Sequence, residues 1–123
     1  HRVSLVDERG EVAVMLEGQP QMEVGCHTDV MDSCPKSVAI PMLLRSANPQ
    51  IIAVDEITQA RDLAAMEEAA YCGVRFLATL HADSADDLHR RPLLQKLQKM
   101  HLFEKAITIH MADTLRRYTI RDL

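Results

Sequence analysis

Aromatic residues are scarce in this chain: two Phe, two Tyr and no Trp among 123 residues. Lys and Arg total 14 against 18 Asp and Glu, a net charge of -4. A nucleic-acid surface needs clustered cations and often stacking rings, so the composition argues against a nucleic-acid partner. No apolar run approaches the length of a membrane span, and the opening "HRVSLVDERG" has no signal-peptide pattern. A cytoplasmic protein is expected, one that can still dock peripherally on a membrane complex.

Cysteine is sparse as well. Cys26, Cys34 and Cys72 are too few and too irregular for a disulfide framework and read as reduced thiols. Cys26, His27, Asp32 and Cys34 do not have the spacing of a zinc hairpin, and no second Cys/His pair follows. The seven methionines are scattered, which suits core or loop filler better than a binding stripe. The four glycines are Gly10, Gly18, Gly25 and Gly73, and none is followed by Lys. The pattern G-x-x-x-x-G-K-(S/T) is therefore missing, and with it the backbone cradle and lysine that hold β- and γ-phosphates.

What the chain does contain is a set of apolar runs that end in acids. At 123 residues it fits one domain with a single core. "RVSLVDE" reads as a strand ending at Asp7 and Glu8, with a turn at Arg9-Gly10. Residues 17–34 mix Gly, Pro, Asp and Ser and read as a loop with at most one helical turn. A helix capped by Asp32 or Ser33 follows from Pro35, with a kink or break expected at Pro41.

Asn48-Pro49 ends that helix, and "QIIAVDE" reads as a strand buried on both faces. The next helix carries Leu63, Met66 and Ala70 on one stripe and stops at Gly73. "VRFLATL" is a third strand. Ser84 with Asp87 resembles a capping box, Pro92 opens a further helix bearing Leu93, Leu94, Leu97 and Met100, and "HADSADDLHRR" reads as a solvated helix start. "KAITIHM" is a fourth strand, and "LRRYTIRDL" can add an antiparallel hairpin strand. The alternation predicts an α/β fold, a mostly parallel sheet with helices on both faces. Ligands of such sheets bind beyond the carboxyl ends of the strands. Three ends carry polar groups of catalytic type: Asp7 and Glu8, Asp55 and Glu56, Thr79 and His81.

An apolar strand ending in Asp-Glu is the Walker B arrangement, in which the Asp holds magnesium and the Glu orients and deprotonates the attacking water. That assigns Asp55 to the metal and Glu56 to the water. The same pair also suits a helix start, where acids favour the positive end of the dipole, and the local pattern does not choose. His81 can contact a γ-phosphate or stand at a loop surface. Arg45 can complement its own helix dipole or act as an arginine finger on a neighbouring subunit.

"LLRSANPQIIAVDEI" followed by "GVRFLATLHADS" resembles the type II and type IV secretion ATPase family, with its Walker B stretch and its "TLH" histidine box. "SLVDERGE" looks like that family's aspartate box. "VDERGEVA", "VGCHTDVMDSCPK", "ATLHADSADDLHRRPLLQKL" and "FEKAITIHM" are similar, in the same order, to the branch found in endospore-forming bacteria. The resemblance implies a RecA-like P-loop NTPase core, with residues 1–123 forming a single partial ATPase domain that uses ATP and Mg2+. It implies a ring of identical subunits, a hexamer, on the mother-cell side of the membrane, working with membrane-embedded sporulation channel proteins.

By the same resemblance Glu8 and Glu11 match the aspartate-box acids, Asp55 and Glu56 the Walker B pair, Thr79 and His81 the histidine box, and Arg45 an inter-subunit arginine. Glu8, Glu56, His81 and Arg45 would be catalytic, Glu11 and Thr79 would contact nucleotide, and Asp55 would hold the metal. Two positions depart from the pattern: Thr58 stands where Gly follows the Walker B strand, and His27 where Arg precedes Thr-Asp. The family's P-loop strand lies just upstream of the aspartate box, so the chain is expected to be the C-terminal part of an ATPase domain.

Without the P-loop strand the sheet would have a gap or an exposed edge, and the fragment would rearrange, form a strand-exchanged dimer or hold its last strands elsewhere. The parent would hydrolyse ATP to drive assembly of, or transport through, the mother cell–forespore channel, while the fragment alone would be inactive. The alternative is a non-catalytic assembly module derived from a P-loop ATPase.

Overall fold

A computed structural model describes residues 1–82 and 87–123. The capping box expected at Ser84 lies outside the described residues. The chain divides into two compact units, 1–81 and 82–123.

The first unit is built on β1 (Val3–Asp7), β4 (Thr28–Asp32), β5 (Ile51–Val54) and β6 (Arg75–Ala78), in the order β4-β1-β5-β6. All three pairings are parallel. Two helices, α1 (Lys36–Ser46) and α2 (Ala60–Tyr71), link β4 to β5 and β5 to β6. They pack against each other, so they share one face of the sheet rather than covering both as the sequence suggested. The burial of β5 shows the result: Ile52 and Val54 are buried, while Ile51 and Ala53 on the other side are only half-buried. β5 is thus not buried on both faces as its apolar run suggested; β1 is the strand whose Ser4 to Asp7 are all buried.

Packing, more than helix propensity, holds α1 and α2 in place. Ala39, Ile40 and Leu43 of α1 and Leu63, Met66 and Ala69 of α2 fall at helical spacing and are buried. Each large side chain contributes roughly 1.5–3 kcal/mol by leaving water. The N-cap of α1 is Pro35, which has no side chain to cap with, so neither Asp32 nor Ser33 takes the expected role. Pro41 lies inside α1 without ending it. In α2, Asp62 Oδ2 accepts the Gln59 N–H, and Gly73 at φ +85° ends the helix as its lack of a Cβ permits.

The segment 17–34 is more ordered than its composition suggests. β2 (Met15–Leu16) and β3 (Gln19–Pro20) form a tight hairpin closed by Glu17 and Gly18, both at positive φ. β4 follows and pairs with β1 from Val3↔Thr28 to Asp7↔Asp32. The sequence hid β4 because "TDVMD" flanks its apolar residues with acids; as an edge strand it needs no apolar face on both sides.

In the second unit α3 (Asp87–Arg90) and α4 (Pro92–Lys99) precede a hairpin of β7 (Lys105–Ala112) and β8 (Leu115–Asp122). Pro92 opens α4 as expected, and Leu94 and Leu97 are its buried residues. β7 and β8 pair antiparallel as a two-stranded sheet of their own. Ile107↔Ile120 and Ile109↔Tyr118 stand opposite each other on one exposed apolar face.

Candidate functional site

Parallel pairing of β1 with β5 decides where the acids go. Val6 is the partner of Val54, so the residues that follow each strand leave the same end of the sheet side by side. Asp7 and Glu8 thereby come next to Asp55 and Glu56. Between them stands Lys36, the first residue of α1, which β4 delivers to the same end.

Asp7 is fully buried and shapes the loop that carries the other groups. Its Oδ1 accepts the Glu11 N–H at 2.9 Å, and its Oδ2 accepts the N–H groups of Val12 at 3.1 Å and Ala13 at 2.8 Å. Its carbonyl accepts from Gly10 and Ser33. One side chain thus converts the turn after β1 into a fixed platform for Glu8, Arg9 and Glu11.

Two ion-pair chains run from that platform to the end of β5. Lys36 Nζ lies 2.6 Å from Glu8 Oε2 and 2.5 Å from Asp55 Oδ1. Arg9 lies 2.8 Å from Glu56 Oε2 and 3.2 Å from Glu11 Oε2. Asp55 is only 7% exposed, and its carboxylate has no aligned hydrogen bond. Its Oδ1 contact with Lys36 is close but is an ion pair without hydrogen-bond alignment, and Oδ2 has no hydrogen-bond partner among the described residues.

The Lys36 ammonium holds the Glu8 carboxyl below its ordinary value of 4.5, against burial, which raises it. Burial pulls Lys36 down, but Asp55 and Glu8 more than offset it and leave the ammonium above its ordinary 10.5. Burial raises the Asp62 carboxyl above 3.8, against the pull of the Gln59 N–H. The signs differ. Glu8 adds stability above pH 4.5 that is lost as the pH falls through its depressed value. Lys36 adds stability that persists below 10.5 and is lost only above it, whereas ionising Asp62 opposes folding. The melting-temperature gap between the protein and Glu8→Gln should therefore be wide at neutral pH and close as the pH drops below 4.5. A gap of constant size across that range would rule out the Glu8–Lys36 pair as its source.

The structure brings Glu8, Glu11, Asp55 and Glu56 to the same end of the sheet, linked through Lys36 and Arg9. Thr79 lies beside them through its backbone: its carbonyl accepts the Ile57 N–H at 3.0 Å, just past the end of β5. His81 ends the first unit, exposed, two residues further on. Arg45 is at the far end. It sits in the last turn of α1 and lines a hollow of about 370 Å³ with Pro41, Asn48, Glu68 and Cys72, where β5 begins. It is thus remote from Asp55 within its own chain. The helix-start reading of Asp55-Glu56 loses ground too, since α2 begins at Ala60 with Asp62 as the acid of its first turn.

Arg9 and Lys36 were missed from the sequence. Lys36 did leave a trace: a cation opening a helix opposes the dipole, and the first turn of α1 holds no acid to offset it. Such a lysine needs carboxylates from elsewhere in the fold.

Residues 1–119 match the family described as "Sporulation stage III, protein AA". The chain belongs to that family. It is 37% identical over 111 residues to "Stage III sporulation protein AA" of Bacillus subtilis (strain 168), a match covering 90% of this chain and 36% of that protein. The chain thus spans about a third of the length of the curated relative it matches. For this sporulation family member, the sporulation part of the sequence-based resemblance is a finding. No helix among the described residues is long and apolar enough to cross a membrane. The family's name gives a developmental stage and no chemistry, so the acids at the end of the sheet are the route to an activity.

Proposed function

We propose that this chain carries the water-activating half of an ATPase site, related to the secretion ATPases and their RecA-like core. The full-length protein would hydrolyse ATP to drive assembly of, or transport through, the mother cell–forespore channel, as a ring at the mother-cell face of the membrane. The observation that carries the reading is Asp55: a carboxylate at the end of a parallel strand, nearly enclosed, with Oδ2 lacking a hydrogen-bond partner among the described residues and Glu56 next to it.

A hard cation suits such an oxygen. Among the described residues no three His, Cys, Asp or Glu side chains group into a metal cage. Magnesium does not need one, since one or two carboxylates with water and substrate phosphates are its usual setting. When bound, magnesium would neutralise charge developing on the transferred phosphoryl group. Asp55 would hold it through Oδ2. Glu56, kept at the site by Arg9, would orient a water and take its proton. Glu8 shares Lys36 with Asp55, and Glu11 shares Arg9 with Glu56. The phosphate cradle would come from residues outside these 123, which contain no P-loop pattern.

The second reading, a non-catalytic assembly module, draws on Lys36, whose ammonium already sits on the acid that would hold the metal. Calorimetric titration of Mg-ATP into the 123-residue chain and into a chain extended upstream through a P-loop separates the two. Binding by the extended chain alone supports the ATPase reading. Micromolar binding by the short chain would relocate the phosphate site, and binding by neither would favour the assembly module.

A further inference from the structure

Lys36 is the buried charge that the hydrolytic reading leaves unused. It is 3% exposed and opens α1, where the dipole disfavours a cation. Glu8 at 2.6 Å and Asp55 at 2.5 Å hold it there from the ends of two adjacent strands. Removing that cation would leave the nearly enclosed Asp55 and the half-buried Glu8 facing each other as like charges. The neutralisation is incomplete: Asp55 Oδ2 is buried and has no hydrogen-bond partner among the described residues. A divalent ion could take that oxygen, but it would arrive beside an ammonium already seated on the same carboxylate, and two cations at such range repel strongly.

We propose that Lys36 is the resident cation of this site, and that its ammonium and a divalent metal ion compete for the Asp55 carboxylate. The inference rests on the reading of Asp55 as the metal-holding acid and adds a regulation to it. Metal alone is held off, because at Oδ2 it would stand beside the ammonium already on Oδ1 of the same carboxylate, and the two cations repel. A polyphosphate arriving with the metal gives the ammonium a new anionic partner. The site therefore favours metal and triphosphate entering together, and in an empty subunit Lys36 offsets part of the carboxylate charge without metal.

Mn2+ is the probe, read from the loss of its free electron-paramagnetic signal at neutral pH, without nucleotide. It is titrated into the 123-residue chain and into Lys36→Met, which keeps the stem's bulk and removes the charge. The native chain should show no saturating site below millimolar metal. Lys36→Met should gain one, bound roughly tenfold or more tightly, and lose it again when Asp55→Asn is added. Equal binding by the native chain and Lys36→Met, tight or weak, overturns the competition. If Lys36→Met is unfolded by circular dichroism, Mn2+ should refold it by replacing the lost charge; no refolding overturns the proposal equally. Because no nucleotide is present, the outcome separates from that of the Mg-ATP titration. A gained Mn2+ site with no ATP binding by the extended chain would fail the ATPase reading alone, and the reverse would fail the role of Lys36 alone.

Discussion

Replacing Asp7 with alanine is expected to lower the melting temperature by roughly 10–30 °C, at about 4–8 °C per kcal/mol for a unit of this size. The side chain accepts three backbone N–H groups, from Glu11, Val12 and Ala13. Ala13 is fully buried, so its N–H has no access to water once the acceptor is gone; such a donor costs about 1–3 kcal/mol. The Glu11 and Val12 N–H groups are only partly buried and can rehydrate, which brings the expected total to roughly 2–4 kcal/mol.

Asp7→Asn tests the same point with the volume kept. Its amide retains one accepting oxygen and turns an N–H toward a donor, so a loss between those of the native protein and Asp7→Ala is expected. Thermal unfolding followed by circular dichroism reads all three. A melting temperature for Asp7→Ala within a few degrees of the native protein's would show that the loop after β1 is held by something else. Asp7 would not touch a substrate. Even so, it fixes the platform from which Glu8 meets Lys36 and Arg9 meets Glu56, so its loss should also slow any hydrolysis by the extended chain.

Glu56→Gln in the P-loop-containing chain is expected to lower kcat for ATP hydrolysis by about 10²–10⁴-fold, the range contributed by a positioned general base. ATP binding should change little, because glutamine keeps the shape and loses only the ability to take a proton. Asp55→Asn should differ by weakening the magnesium dependence of binding. A Glu56→Gln rate within about threefold of the native rate would remove Glu56 from the chemistry, since a base worth so little is not acting as one. Arg9→Ala provides a control of position: Glu56 loses its 2.8 Å partner, so a smaller fall in kcat is expected while the base itself is retained.

Much of the site was legible because acids at the end of an apolar strand break its pattern visibly. Asp55 and Glu56 follow four consecutive apolar residues, and the parallel sheet implied by the element order places such ends together. Lys36 was not legible in the same way. After a proline and at a helix start it looks solvated, and only the fold shows the two carboxylates that enclose it. Asp7 was visible as a strand-end acid, but its work is to bind the backbone of the residues that follow, which depends on a loop geometry no local pattern specifies. The hairpin β7–β8 was half legible: its turn, Asp113-Thr114, takes positive φ at both positions without the glycine that usually marks one.

The sequence by itself determined the alternation of strands and helices, the breaks at Asn48-Pro49 and Gly73, the acids at the strand ends and the membership of a sporulation family. These depend on neighbours a few residues away, through periodicity, backbone restriction and local motif. The tertiary structure decided the rest. Pairing of β1 with β5 turned separate acids into one site, packing of α1 on α2 put both helices on the same face, and β4 set Lys36 between Glu8 and Asp55. Such contacts join residues far apart in the chain, and their energies come from burial and charge pairing that exist only after the sheet has formed.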